Sequence, residues 1–341
     1  MGKVDTLVRT ADQFQQQRAW LALPVAVVRK FADNRAWSLA ALIAYYAFVA
    51  IFPLLLVLVT VLNQLFKNDQ GLRHRLVNSA LAHYPVIGPQ LQDNISPLKQ
   101  TGVALVVGLA GTLIGARGVA RAMQNALNSA WEVPVTRRPR FPWSLLRSLA
   151  LVTVIGLGLI TTSALSGLAS GAGQVLTGIG SAVLALGVSL GLNIGTFWLA
   201  FRLATVTDIG WRRLLPGAVL GGFAWQVMQA VGGYLVTHQL ARSSNLYGTF
   251  AVVLGLVGWL YIEAQLTVWA VEANVVLAYH LWPRSLRPPL TPADRRAYVL
   301  YADVENRGEH QLIRTTGRYS SAARDSAAWL AHTDSPAPEC G

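Results

Sequence analysis

Four polar side chains interrupt the longest apolar run of the sequence, and two of them are carboxylates. The run, residues 248–279, reads GTFAVVLGLVGWLYIEAQLTVWAVEANVVLAY and carries Glu263, Gln265, Glu272 and Asn274. It exceeds the roughly 20 helical residues that cross a bilayer. A carboxylate in hydrocarbon costs about 2.5–3.5 kcal/mol on insertion scales, so such groups turn towards a bundle interior or a wet cavity. At about 100° per residue, Glu263 and Asn274 share one helix face, while Tyr261, Gln265 and Glu272 share the opposite one. A helix with polar groups on both sides needs protein on both sides.

Three more polar residues, Asn193, Gln226 and Gln229, fall near the middles of other apolar segments. Polar groups converging at the bilayer midplane are what transporters use to hold substrates and ions. Together with Glu263 and Gln265 they form a candidate substrate or ion pathway, with Glu263 as a carboxylate able to take up and release a proton. The competing reading is helix–helix hydrogen bonding, about 0.6–2 kcal/mol per contact. Arg117, the deepest arginine of the second apolar segment, and Glu272 lie at matching depths. The expected pairing is Arg117 with Glu272, which would offset two burial costs at once.

Signals for enzymes are missing from the sequence. It contains no GxxxxGK[ST], HExxH or GxSxG pattern. Its six histidines (His74, His83, His238, His280, His310, His332) are scattered, and its one cysteine, Cys340, cannot form an intrachain disulfide. No enzymatic activity, metal site or cofactor is expected.

The elements that must position these residues follow from composition. The chain of 341 residues is 53% hydrophobic and 13% charged, with a mean hydropathy of +0.41. These values indicate an integral membrane protein. The net charge of +12 would suggest nucleic acid in a soluble protein, but these charges sit in short connections between apolar segments, so no nucleic-acid partner is expected. Six spans are expected, at about 38–62, 102–122, 148–169, 181–201, 214–236 and 249–279. The fold is therefore all-α, a polytopic bundle of six transmembrane helices. Pro53 should kink the first span by leaving the Val49 carbonyl without its donor. Leu72, Leu76, Val77, Leu81 and Tyr84 recur at helical spacing in the following loop. Gly187, Gly191 and Gly195 in the fourth span, and Gly217 and Gly221 in the fifth, have the spacing that lets helices approach closely.

Six crossings place both termini on one side. Of the 28 Lys and Arg residues, 23 lie on the side shared with the termini, so the positive-inside rule makes that side the cytoplasm. Residues 1–36 are then a cytoplasmic segment, residues 37–282 the membrane domain, and 283–341 a flexible cytoplasmic tail that should be dispensable beyond about Arg287. Within the first segment, Val25, Val28 and Phe31 form a stripe suited to a helix lying on the membrane surface, with Arg29, Lys30 and Asp33 off it.

Several short motifs resemble the YihY/BrkB family of bacterial inner-membrane proteins. The first span carries Ala44-Tyr45-Tyr46 and Phe52-Pro53-Leu54-Leu55, and Leu127-Asn128-x-x-Trp131 follows the second. Tyr247-Gly248 precedes the sixth span, which holds Trp259-Leu260-Tyr261 and Glu272-x-Asn274. The resemblance covers about residues 25–283. It departs at Ala270-Val271, where the family commonly has Gly-Ala before the glutamate. What it implies is a multi-pass protein of the bacterial inner membrane whose relatives are linked to serum resistance, and in the YhjD-like branch to export of lipid or lipopolysaccharide. A ribonuclease label carried by some relatives does not fit a chain without clustered metal-binding carboxylates or histidines. Membrane lipids are thus the expected partners and a lipid or lipopolysaccharide-like amphiphile the expected cargo. The alternative is a non-transporting scaffold for envelope assembly.

Overall fold

The computed structural model describes residues 3–65, 102–139, 142–172, 179–206, 209–235 and 241–304. These residues form nine α-helices, with no strand among them. Three are short: α1 (Lys3–Gln16), α2 (Ala19–Asp33) and α9 (Pro292–Val304). Six are long: α3 (Ala36–Leu65), α4 (Gly102–Ala130), α5 (Trp143–Ala172), α6 (Ile179–Ala204), α7 (Leu215–Leu235) and α8 (Ala241–Ala278). Each long helix covers most or all of one expected span. Five hold a stretch long and apolar enough to cross a membrane: Ala36–Pro53, Val106–Ala130, Val183–Ala204, Trp211–Gly232 and Val253–Ala278. The apolar stretch of α5 that meets the same composition test, Trp143–Gly158, is shorter. The amphipathic pattern at 72–84 lies outside the described residues, as do residues 305–341 of the expected tail.

The six long helices alternate in direction, which brings the end of α4, the start of α5, the end of α6, the start of α7 and the end of α8 together. One buried apolar cluster spans that end: Leu127 and Trp131 from α4 and its exit, Leu151 from α5, Phe201 and Ala204 from α6, Leu214, and Val275 and Val276 from α8. Ala26 of α2 and Ala297 of α9 belong to the same cluster. A second cluster seals α3 against α4 and α8 through Ala40, Ile43, Ala44, Ala122, Ala126, Leu260 and Ala264. Away from these seams the long helices show large aliphatic side chains to their surroundings, among them Ile114, Leu184 and Phe223. That is the surface a lipid solvent requires, because nothing apolar is gained by burying it.

Small residues decide which helices touch most closely. Along α4, Gly111, Gly115 and Gly118 lie under Pro53, Ala50 and Tyr46 of α3, and a Cβ at any of them would collide with its neighbour. Helix α3 runs through Pro53 without interruption. On α7, Gly217 presses against the Ala270 carbonyl and the Asn274 amide of α8, and Gly221 and Gly222 meet Phe197 and Ile194 of α6. The close approach expected of the α6 glycines does not occur. Among the described residues a Cβ at Gly187, Gly191 or Gly195 would meet nothing within 4 Å, and α6 packs on α7 through Ile194 and Phe197 instead. Ala270, where the resemblance departs, is fully buried, and Gly217 provides the close approach from the other helix.

Asn274 ties α8 to the start of α7. The first backbone N–H groups of a helix have no partner within it. The Gly217 N–H donates to Asn274 Oδ1 at 2.6 Å, and the Asn274 amide donates to the Leu214 carbonyl at 3.2 Å. Both polar ends of a fully buried side chain are thereby satisfied. Replacing Asn274 with leucine leaves those backbone groups unpaired, at about 1–3 kcal/mol for each unsatisfied group. The Asn274→Leu protein is expected to melt measurably lower in detergent, and an unchanged melting temperature would contradict this role.

Helix α2, before the boundary expected at residue 36, packs on the bundle through a face to which the Val25–Val28–Phe31 stripe contributes only Phe31. It buries Ala22, Ala26, Val27, Lys30 and Phe31, while Val28 is 52% exposed. Alanines at 22 and 26 let α2 lie close on the bundle, and Phe31 stacks on Trp269 of α8 with ring centroids 4.5 Å apart. Residues 283–304, beyond the boundary expected at 283, fold onto the same end.

Candidate functional site

The mid-span candidates fall into separate contacts. Asn193 of α6 donates its amide to Gln226 Oε1 of α7 at 2.9 Å. Glu263 accepts a 2.6 Å hydrogen bond from Trp259 Nε1, one turn earlier on α8. Gln226, Gln229, Glu263 and Gln265 are all half-buried. Among the described residues no lysine or arginine forms an ion pair with Glu263. The structure therefore joins Asn193 to Gln226 and gives the Glu263 carboxylate a single side-chain donor from its own helix.

Glu272 is fully buried, but its partner is not Arg117. Lys30 of α2 places Nζ 3.7 Å from Glu272 Oε2, and Asn34 donates to Glu272 Oε1 at 2.8 Å. Arg117 is half-buried on α4 and is not among the partners of Glu272. Depth and sign matched in the sequence, but the cation that reaches Glu272 comes from a helix outside the spans, docked by its alanine face.

Lys30, with 0% exposure, sits at the centre of a polar cluster. It forms an ion pair with Glu132, donates to the Ala130 carbonyl at 3.2 Å, and lies 5.0 Å from the centre of the Tyr301 ring. Glu132 reaches it through an unusual backbone. The Val133 N–H bonds the Asn128 carbonyl at 2.8 Å and the Glu132 N–H bonds the Ser129 carbonyl at 3.0 Å, the paired bonds of a Schellman ending. Glu132 occupies its left-handed position with φ of 54°. Glycine is favoured there, and an L residue costs about 1–2 kcal/mol. The side chain offsets this strain by delivering a carboxylate to Lys30. Burial raises the Glu132 carboxyl above its ordinary value, against the pull of the Lys30 ammonium.

A second polar cluster joins this one through Asp33 and Tyr301. Arg284, also with 0% exposure, donates from Nε to Asp294 Oδ1 at 2.6 Å and from a terminal nitrogen to Asp33 Oδ2 at 3.0 Å. The Tyr301 hydroxyl donates to the same Asp33 oxygen at 3.0 Å. Asp294 is built into the start of α9 by a capping box. Thr291 Oγ1 accepts from the Asp294 N–H at 3.2 Å, while Asp294 Oδ2 accepts from the Thr291 N–H at 3.0 Å. Pro292 fills the first helical position, where its missing N–H costs nothing. Ser285 adds backbone and hydroxyl donors to the same oxygen, at 2.9 and 2.6 Å. Helix α1 joins through Gln15, which donates to the Arg284 carbonyl at 2.7 Å, and Asp12, which accepts from the Leu286 N–H at 3.0 Å. Among the described residues no group of three or more His, Cys, Asp and Glu side chains gathers as a metal site would need.

The family model described as virulence factor BrkB matches residues 27–293. The chain belongs to the BrkB family. A UPF0761 membrane protein of Stenotrophomonas maltophilia strain K279a is 26% identical over 339 residues, covering 94% of this chain and 73% of that one. The inner membrane protein YhjD of Escherichia coli K12 is 22% identical over 302 residues, covering 82% and 88%. A UPF0761 membrane protein of Tolumonas auensis is 23% identical over 274 residues, covering 76% and 86%. No solved structure matches the chain. The matched region of this BrkB protein takes in the second half of α2 and the first two residues of α9, so Lys30, Asp33, Glu132, Glu272 and Arg284 all lie within it.

Sequence reasoning missed Lys30, Asn34, Glu132, Asp33, Arg284, Asp294 and Tyr301. Two signals pointed to some of them. Glu132 directly follows the Asn128-x-x-Trp131 motif, and Thr291-Pro292-Ala293-Asp294 is a helix-start signature. No pattern along the chain could show that Lys30 and Glu272, 242 positions apart in the numbering, share a pocket.

Residues 283–304 of the expected tail are thus docked on the bundle. Removing the chain after Arg287 deletes Asp294 and Tyr301 and leaves Arg284 buried with Asp33 alone. A buried pair broken by loss of one partner costs about 3–5 kcal/mol, so the truncated protein, and Asp294→Asn as the minimal variant, should melt well below the full chain. Burial opposes ionisation of Asp294, yet the Ser285 and Thr291 hydrogen bonds outweigh it and hold its pKa at about 2, below the ordinary 3.8. The stabilisation it contributes is complete above pH 3.8 and is lost as pH falls towards 2. A melting profile of Asp294→Asn as pH-sensitive as that of the parent across that interval would rule this out.

Proposed function

We propose that this BrkB-family membrane protein moves or flips an amphiphile, an envelope lipid or its precursor, across the bacterial inner membrane. The observation that carries the reading is Glu263. It is a carboxylate near the middle of an apolar helix, half-buried, with one hydrogen-bond donor from its own helix and no ion pair among the described residues. A group of that kind is costly in hydrocarbon and is characteristic of substrate or proton pathways. Gln265, Gln226, Gln229 and Asn193 supply neutral hydrogen-bonding groups suited to a lipid headgroup while its tails stay in the bilayer. In this reading the protein crosses the membrane six times, α5 included, with both termini in the cytoplasm. The clustering of 23 of the 28 Lys and Arg residues on that side supports the orientation. The sequence holds no nucleotide-binding motif, so the energy comes from an ion gradient or from the cargo's own gradient.

A scaffold reading draws support from the docked end of the molecule, which holds residues 283–304 against the bundle and leads directly into the remaining 37 residues of the chain. The two readings part at Glu263→Gln. The substitution keeps the shape and a hydrogen-bond acceptor for Trp259 but removes the titration. In liposomes containing a fluorescent headgroup-labelled lipid, the transporter reading expects a folded variant that has lost lipid movement and its pH dependence. Movement at the parental rate at every pH would remove Glu263 from the mechanism. The orientation is checked separately by reporter fusions, which should be cytoplasmic after residues 140 and 341 and external near residue 90.

A further inference from the structure

Lys30 is one cation enclosed with two carboxylates. Its ammonium lies against Glu132, the Ala130 carbonyl and the face of the Tyr301 ring. The Lys30 Nζ lies 3.7 Å from Glu272 Oε2, beyond hydrogen-bond length, and among the described residues that buried oxygen has no hydrogen-bond partner. The Asn34 amide is the single donor to its other oxygen. With both carboxylates ionised and Lys30 protonated, these three buried side chains carry a net negative charge. From α2, Asp33 adds another negative charge, itself engaged by Arg284 and Tyr301. Arg138 is the further cation whose charge acts on Glu132; its hydrogen bonds go to the Val133 carbonyl, Asn125 and Ser129, and it forms no ion pair with either carboxylate among the described residues. Arg213 lies close enough to Tyr279 to affect its ionisation, and Tyr279, at the end of α8, is a neutral phenol.

We propose that Glu132 and Glu272, on either side of Lys30, form a binding site for one exchangeable proton, and that loss of this proton loosens α2 from the end of the bundle. Two carboxyl groups at one cation share a proton because like charges in a buried site disfavour each other's ionisation, and the proton belongs to the pair rather than to either residue. The rise in the Glu132 carboxyl caused by burial agrees with this. Each member of the site comes from a different element: Lys30 and Asn34 from α2 and its end, Glu132 from the turn after α4, Glu272 from α8. A change in charge here therefore acts on the contact between α2 and the bundle. This inference concerns a different place from Glu263 and stands whether or not the protein moves a lipid.

The sign follows from linkage. A carboxyl site that binds its proton more tightly folded than unfolded stabilises the fold below the ordinary value of 4.5, and that contribution declines as pH rises until the site itself titrates. Hydrogen exchange of α2 peptides in the full-length protein, corrected for the intrinsic pH dependence of exchange, should show less protection at pH 8 than at pH 5.5. Glu272→Gln and Glu132→Gln each leave Lys30 with one counter-charge and no extra proton. Either variant should hold α2 equally protected at both pH values, and Glu263→Gln should retain the parental difference. Parental α2 protection that does not change with pH overturns the proposal, as does a Glu272→Gln protein that keeps the parental dependence. Glutamine has the shape of the neutral acid, so failure of both glutamine variants to fold would also overturn it. If one of them folds, that one decides.

Discussion

An ammonium group taken out of water costs several kcal/mol unless anions and acceptors surround it, and Lys30 is completely enclosed. Much of the architecture at its end of the bundle meets that requirement. The turn after α4 adopts a left-handed residue where glycine would be easier, and that residue carries the carboxylate Lys30 needs. Helix α8 brings Glu272, and α9 brings the Tyr301 ring. Take away Lys30 and two carboxylates face one another without a cation. The position of α2, and with it the closed end of the molecule, depends on this one side chain.

Arg284 extends the same logic to the chain termini. It is buried between Asp294, which the start of α9 supplies, and Asp33, which α2 supplies, while Gln15 of α1 binds its backbone. Both charged clusters therefore rest on α2. They respond to pH in opposite senses: the Asp294 network is lost towards acid, whereas burial raises the Glu132 carboxyl above its ordinary value and its proton leaves as pH rises. Between those limits α1, α2 and α9 form a continuous polar cap over a bundle whose sides are apolar.

The sides follow a different rule. In lipid, contact between helices is governed by how closely backbones approach, not by hydrophobic gain. The glycines of α4 and α7 are occupied by neighbours, whereas those of α6 are not, though the spacing along α6 is the more regular. The mid-span polar groups sit within this apolar frame. Asn193 and Gln226 satisfy each other across α6 and α7, while Glu263 is left to a tryptophan of its own helix.

Alone, the sequence determined the medium and the elements. Long apolar segments can satisfy their backbone in lipid only as helices, so the all-helical membrane fold, the positions of the six long helices and the BrkB-family motifs were legible residue by residue. It also marked Glu263, Glu272 and Asn274 as polar groups needing partners, because an intramembrane carboxylate or amide is conspicuous against its neighbours. What the tertiary structure decided was who those partners are. Lys30 looked like a surface lysine beside an apolar stripe, and Arg284, Asp294 and Tyr301 looked like parts of a loose tail. Their burial depends on docking geometry between segments hundreds of residues apart, and charge pairing acts through space, leaving no period or spacing along the chain to read.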